Sequence, residues 1–136
     1  MATTLTSSPE ETEALGAKLA RRLRRGDVVL VRGEVGSGKT TFVRGAARAL
    51  GVAEPVTSPT FTIGQLHAGD VEVAHLDLHR LESLAGEDSA LLDDYLEPDR
   101  VAFIEWPEAA EPLLRGPVVR VRLEHTGGDT RRVTVE

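Results

Sequence analysis

The chain has 136 residues, a formal net charge of −6, no cysteine, and lysine only at Lys18 and Lys39. Its length suits one domain over residues 1–136, with a real core but little room for a separate substrate domain or lid. The charge argues against unaided nucleic-acid binding through a broad basic surface, and the missing cysteines exclude a disulfide framework or thiolate metal site.

No apolar run approaches a membrane span, and the first six residues lack the basic and apolar stretches of a signal peptide, so a cytoplasmic location is expected. Ser8-Pro9-Glu10-Glu11 opens a helix: Ser8 caps it, Pro9 suits the first position, and Glu11 completes a capping box. Leu15, Leu19 and Leu23 recur at helical spacing, and Arg21, Arg22, Arg24 and Arg25 crowd the expected last turn before Gly26. Two readings of these arginines stand: a solvated helix end that complements the dipole, or a contact to phosphate or RNA.

Asp27-Val28-Val29-Leu30-Val31 is short, apolar and β-branched, as a buried strand should be. Directly after it, Gly33-Glu34-Val35-Gly36-Ser37-Gly38-Lys39-Thr40 matches G-x-x-x-x-G-K-[ST] without a gap. Glycines let such a loop turn its N–H groups inward onto phosphate oxygens, and the next helix offers its positive end to the same oxygens. Lys39 is then placed to reach the β- and γ-phosphates, and the Thr40 hydroxyl to bind Mg²⁺. Thr41 to Leu50 supplies the helix, with Phe42, Ala46, Ala49 and Leu50 spaced for one face and Gly51 as its stop.

Residues 54–61 hold two prolines among hydroxyl and turn residues, which predicts a fixed loop. Phe61–Leu66 and Val71–Leu78 read as strands joined at Ala68-Gly69-Asp70, and Arg80–Asp94 as two short helical pieces. The acids of that region, from Glu87 to Asp99, form a solvated face or a patch for a basic partner. Val101–Glu105 is a buried strand ended by Trp106-Pro107, and Glu108–Leu114 is a short amphipathic helix. The C-terminus is a β-hairpin: Val118–Leu123, a turn at Thr126-Gly127-Gly128-Asp129, then Arg132–Val135.

A phosphate loop needs a carboxylate at a strand end to hold Mg²⁺. Glu105 follows four apolar residues and is one candidate, with a structural ion pair as its alternative. Asp77, ending its strand, is the other: it can orient the attacking water or share the metal, or simply pair with Arg80. His75, Asp77 and His79 alternate along an extended segment, the pattern of a transition-metal triad, but the loop already accounts for an acid there and no stable metal besides Mg²⁺ is expected. The chain contains no asparagine, so the N-K-x-D guanine reader cannot be present and adenine is the expected base.

In order along the chain stand Glu11-Thr12-x-x-Leu15-Gly16, the glycine loop continued through Thr41-Phe42-x-Arg44-Gly45, Ser58-Pro59-Thr60-Phe61, His75-x-Asp77-Leu78-x-Arg80 and Ile104-Glu105-Trp106-Pro107-Glu108. Together these resemble the TsaE (formerly YjeE) family, small bacterial P-loop proteins of tRNA threonylcarbamoyladenosine biosynthesis. The resemblance implies an α/β, P-loop NTPase-like domain with a central mixed β-sheet flanked by helices, and an ATPase whose turnover serves a complex. There, TsaD with TsaB transfers threonylcarbamoyl to adenosine 37 of tRNAs reading codons that begin with A, so tRNA is met only through the complex.

By motif matching, Gly36, Ser37, Gly38, Lys39, Thr40 and Thr41 would hold the phosphates of ATP, and Thr40 with Glu105 the Mg²⁺. Ser58 and Thr60 would form a switch, Asp77 would support hydrolysis, Thr12 would lie near the nucleoside and Arg132 near the nucleotide. His79 departs from the family pattern, which has tyrosine there, and that puts regulation or the orientation of Asp77 in question. The expectation is thus a Mg²⁺-dependent ATPase, slow alone and stimulated by partners, with Lys39, Asp77 and Glu105 catalytic. Two other readings are a small-molecule or nucleotide kinase and an ATP-sensing module that does not hydrolyse.

Overall fold

The computed structural model describes residues 2–57, 63–79, 87–114 and 116–136, with backbone only at 87–89 and 91. The elements are β1 (Ala2–Thr6), α1 (Pro9–Ala20), β2 (Val28–Arg32), α2 (Lys39–Ala49), β3 (Gly64–His67), β4 (Glu72–Asp77), α3 (Glu87–Tyr95), β5 (Arg100–Glu105), β6 (Val119–Gly127) and β7 (Thr130–Val135). They build one mixed seven-stranded sheet in the order β1-β7-β6-β2-β5-β4-β3. Its centre, β6-β2-β5-β4, is parallel, and both edges are antiparallel.

The centre is parallel because β2 and β5 are apolar on both faces and need cover on both. Val29, Val31, Val101 and Phe103 face a core shared with Phe42, Val43 and Ala46 of α2 and Leu19 of α1. Leu30, Ala102 and Ile104 face the other way, onto Leu76, Leu78, Leu92 and Ala110. All seven of these strand residues are at most 1% exposed.

On the first face α1 and α2 meet at backbone distance. A Cβ on Gly45 would run into the Glu13 carbonyl, and one on Gly16 into the Phe42 carbonyl. Neither position has room for a side chain, and the close approach that glycine allows sets the height of α2 over the strand ends.

Four details differ from the sequence reading. First, α1 ends at Ala20, not near Gly26. Beyond it the chain tightens into three-residue turns (Arg22 N to Leu19 O, 2.9 Å; Leu23 N to Ala20 O, 3.0 Å). The Asp27 carboxylate then takes the Arg24 N–H at 2.7 Å, which leaves the arginines in an exposed turn past the helix.

Second, β1 was not anticipated. Of its residues only Thr6 is buried, so it carries no alternating signal, and its pairing with β7 defines it. Third, the helix expected over 108–114 is two 3-10 turns, Pro107–Ala109 and Glu111–Leu113, because Pro112 has no N–H to continue an α-helical ladder. Fourth, of the two helical pieces expected in 80–94 the second is α3, extending to Tyr95. The first piece, with Arg80, lies outside the described residues, as do Ser58, Thr60 and the start of the Phe61 strand.

Gly45→Ala and Gly16→Ala should each destabilise the fold by roughly 1–3 kcal/mol or more, since the obstacle is backbone and cannot rotate away. Denaturant unfolding of the purified variants measures this; stability equal to the parent chain would contradict the close helix contact.

Candidate active site

Three parallel strand ends place the chemistry. Register pairs Val31 with Glu105 and Asp77 with Glu105, so two carboxylates stand side by side where the loop leaves β2. Ligands of open α/β sheets bind at such carboxyl ends. The loop enters α2 through Gly38, whose φ of 97° is left-handed, a conformation that glycine adopts without the Cβ penalty. No side chain caps α2 and its first turn holds no acid, so its leading N–H groups face the loop with their partial positive charge available to an anion.

Lys39 lies across the loop. Its Nζ donates to the carbonyls of Gly33 (2.6 Å) and Glu34 (2.9 Å) and sits 4.3 Å from the centre of the Trp106 ring. Burial pushes the ammonium below the ordinary lysine range, while the charges of Glu105, Asp77 and Glu108 pull it back up. A phosphate group entering the loop could replace the two carbonyls as acceptor.

Glu105 is 2% exposed. The Thr40 hydroxyl donates to its carboxylate, 3.0 and 3.1 Å from the two oxygens, and His75 Nε2 lies 2.5 Å from Oε2. Among the described residues, the basic side chain within reach of its carboxylate is that histidine, not a lysine or arginine.

Asp77 accepts from the backbone N–H (3.1 Å) and Nδ1 (2.7 Å) of His79, and the His79 ring is 6.3 Å from that of Trp106. His79 therefore holds the acid itself. The triad pattern comes apart here: His75 goes to Glu105 and His79 to Asp77. Among the described residues no three of His, Cys, Asp or Glu group to hold a metal by themselves, so a bound Mg²⁺ would draw on Thr40, an acid, phosphate oxygens and water.

Of the remaining residues, Ser37 is buried, its hydroxyl without a partner among the described residues, and Thr41 is half-buried in the first turn of α2. Thr12 is buried, bonds Thr6 (2.8 Å) and the Ser8 carbonyl (3.3 Å), and packs its methyl toward Gly38. Arg132 is placed elsewhere: it pairs with Glu124 at 3.6 Å, on the face opposite Val133, which belongs to the α1–α2 core. The arginine that β7 brings beside Gly38 is Arg131, two residues before Val133 on the same face. Sequence reasoning also gave no role to Trp106. It is the one non-glycine residue with positive φ among the described residues (54°), and no local pattern announces that conformation before a proline.

A parallel-centred sheet, a glycine loop running from a strand into an uncapped helix, and two acids at neighbouring strand ends define an α/β protein of the P-loop kind. The profile of the family described as "Threonylcarbamoyl adenosine biosynthesis protein TsaE" matches residues 6–133, and the chain belongs to the TsaE family. It is 36% identical over 130 residues to the tRNA threonylcarbamoyladenosine biosynthesis protein TsaE of Bacillus subtilis, covering 95% of this chain and 81% of that one. To the TsaE of Streptomyces coelicolor it is 41% identical over 128 residues, covering 89% and 86%. The crystal structure of YdiB from Bacillus subtilis superposes with a TM-score of 0.79 at 31% identity, over 98% of this chain and 83% of that one.

Glu105 is the first of the three charges that hold Lys39 up, so Glu105→Gln should lower the Lys39 ammonium further. Side-chain NMR titration can follow it, since the chain has only one other lysine; an unchanged or raised midpoint would contradict the geometry.

Proposed function

We propose that this protein is a Mg²⁺-dependent ATPase subunit that acts with the TsaD–TsaB transferase in threonylcarbamoylation of adenosine 37 in tRNAs reading codons that begin with A. Its membership of the TsaE family supports the pathway, and the names of its relatives state that pathway for them. The observation that carries the ATPase reading is the cluster of buried Lys39 and Glu105 with half-buried Thr40 at the mouth of an uncapped helix.

The donors fit the cofactors. Hydroxyl and carboxylate oxygens suit a hard cation such as Mg²⁺, and the helix terminus suits phosphate. Bound there, Mg²⁺ would neutralise charge on the phosphate chain. Loop amides from Gly36 to Thr41 bind and orient the phosphate chain, and Lys39 turns from the loop carbonyls to the transferred group. Thr40, whose hydroxyl donates to Glu105, would hold the metal together with that acid. Asp77, fixed by His79, stands at the adjacent strand end and orients the attacking water. Thr12 and Arg131 flank Gly38 on the side where the rest of the nucleotide would lie.

Adenine is the expected base because the chain has no asparagine for a guanine-reading motif. Water exclusion and full charge stabilisation are left to the partner, which is why turnover alone is slow. The site of action is the cytoplasm; among the described residues no helix is long and apolar enough to cross a membrane.

ATP turnover measured with and without TsaD–TsaB tests this reading: stimulation is expected, and Lys39→Ala should lower the stimulated rate by about 100-fold or more. Undiminished hydrolysis by that variant would overturn it. Nucleotide titration should further show Arg131→Ala weakening affinity more than Arg132→Ala; the reverse order would place the hairpin's contact on the other face.

A further inference from the structure

His75 is a polar ring in the middle of β4 with 0% exposure. It is two residues before Asp77 on the same strand face, and β5 pairs it with Phe103. From there it reaches diagonally to Glu105, two residues beyond Phe103, with Nε2 2.5 Å from Oε2. Its other nitrogen, Nδ1, is buried and has no partner among the described residues.

That asymmetry fixes the proton. A ring nitrogen against a carboxylate must donate, and a proton on Nδ1 would be a buried donor with nothing to receive it. The hydrogen-bond pattern therefore assigns the Nε2–H tautomer, donating to Glu105. A ring that only filled space would need no polar atom here, because Ala74, Leu76 and Phe103, directly beside it, are apolar.

We infer that His75 is a positioning residue for the metal site: its Nε2–H locks the Glu105 carboxylate, and Glu105 in turn fixes the direction of the Thr40 hydroxyl. Donors from both sides converge on one acid, His75 from within the sheet and Thr40 from α2. With Glu105 held, the carboxylate that accepts from the Thr40 hydroxyl stays in place at the loop mouth. His75 itself touches neither phosphate nor metal. Outer partners of this kind orient metal-binding groups and change metal affinity by about 10–100-fold.

The inference rests on the Mg²⁺–nucleotide reading of the same site, and the test separates the two. ADP binding is titrated calorimetrically in EDTA and in Mg²⁺ for the parent chain, His75→Gln, His75→Asn and His75→Leu, with circular dichroism melts to establish folding. Gln can place an N–H near the Nε2 position, whereas Asn and Leu cannot reach Glu105.

The expected result is a loss of about 10-fold or more in the Mg²⁺-dependent gain of affinity for Leu and Asn. Affinity in EDTA is unchanged, and Gln recovers most of the gain. Mn²⁺ titration followed by electron paramagnetic resonance should give the same order without any turnover. If the Leu variant does not fold, the contrast between Gln and Asn decides. A folded Leu or Asn variant with the parent's Mg²⁺ gain, a Gln variant no better than Asn, or an equal loss in EDTA would each overturn the role of His75. A parent chain whose ADP affinity ignores Mg²⁺ would overturn the metal-site reading, and this inference with it.

Discussion

A carboxylate taken out of water costs several kcal/mol unless it is charge-paired or hydrogen-bonded, and Glu105 has been taken almost wholly out of water. Much of the site is arranged around that constraint. The central strand that carries Glu105 must end beside a donor on β4, which His75 supplies, and beneath a donor on α2, which Thr40 supplies. Each donor comes from a different element, so the acid is satisfied only when β4, β5 and α2 are all in place. The polar cluster therefore also specifies the register of the sheet centre: sliding β4 by one residue would send His75 to the opposite face.

Small size makes this economy necessary. The described residues include no separate cover over the loop, and Lys39 is shielded instead by the tryptophan that follows Glu105. The height of α2 over the sheet is set by contact between Gly45 and the Glu13 backbone. That contact draws α1 close as well, and with it Thr12, whose methyl lies toward Gly38. Helix packing and loop shape are one constraint here.

Local patterns made much of this legible. The apolar strand, glycine loop and helix were readable because their chemistry lies within a few consecutive residues, and Glu105 because an acid ending an apolar strand needs a reason. Non-local pairing hid the rest. His75 alternates with Asp77 and His79 in the sequence, but only the β4–β5 register shows that the two histidines serve different acids. Arg131 could have been distinguished from Arg132 by the valines at 133 and 135, whose alternation marks the inward face of β7. β1 left no trace because a strand exposed at nearly every position has no period. Proline at 112 warned against a continuous helix after Trp106.

Trp106 has one more consequence. Its left-handed backbone is costly for a bulky residue, on the order of 1–3 kcal/mol, and it holds the indole over the Lys39 ammonium. The chain has a single tryptophan. All of its indole emission therefore arises from a ring whose centre lies 4.3 Å from the Lys39 ammonium. The molecule carries its own optical probe, built into the wall of the site, with no second fluorophore of its kind to obscure it.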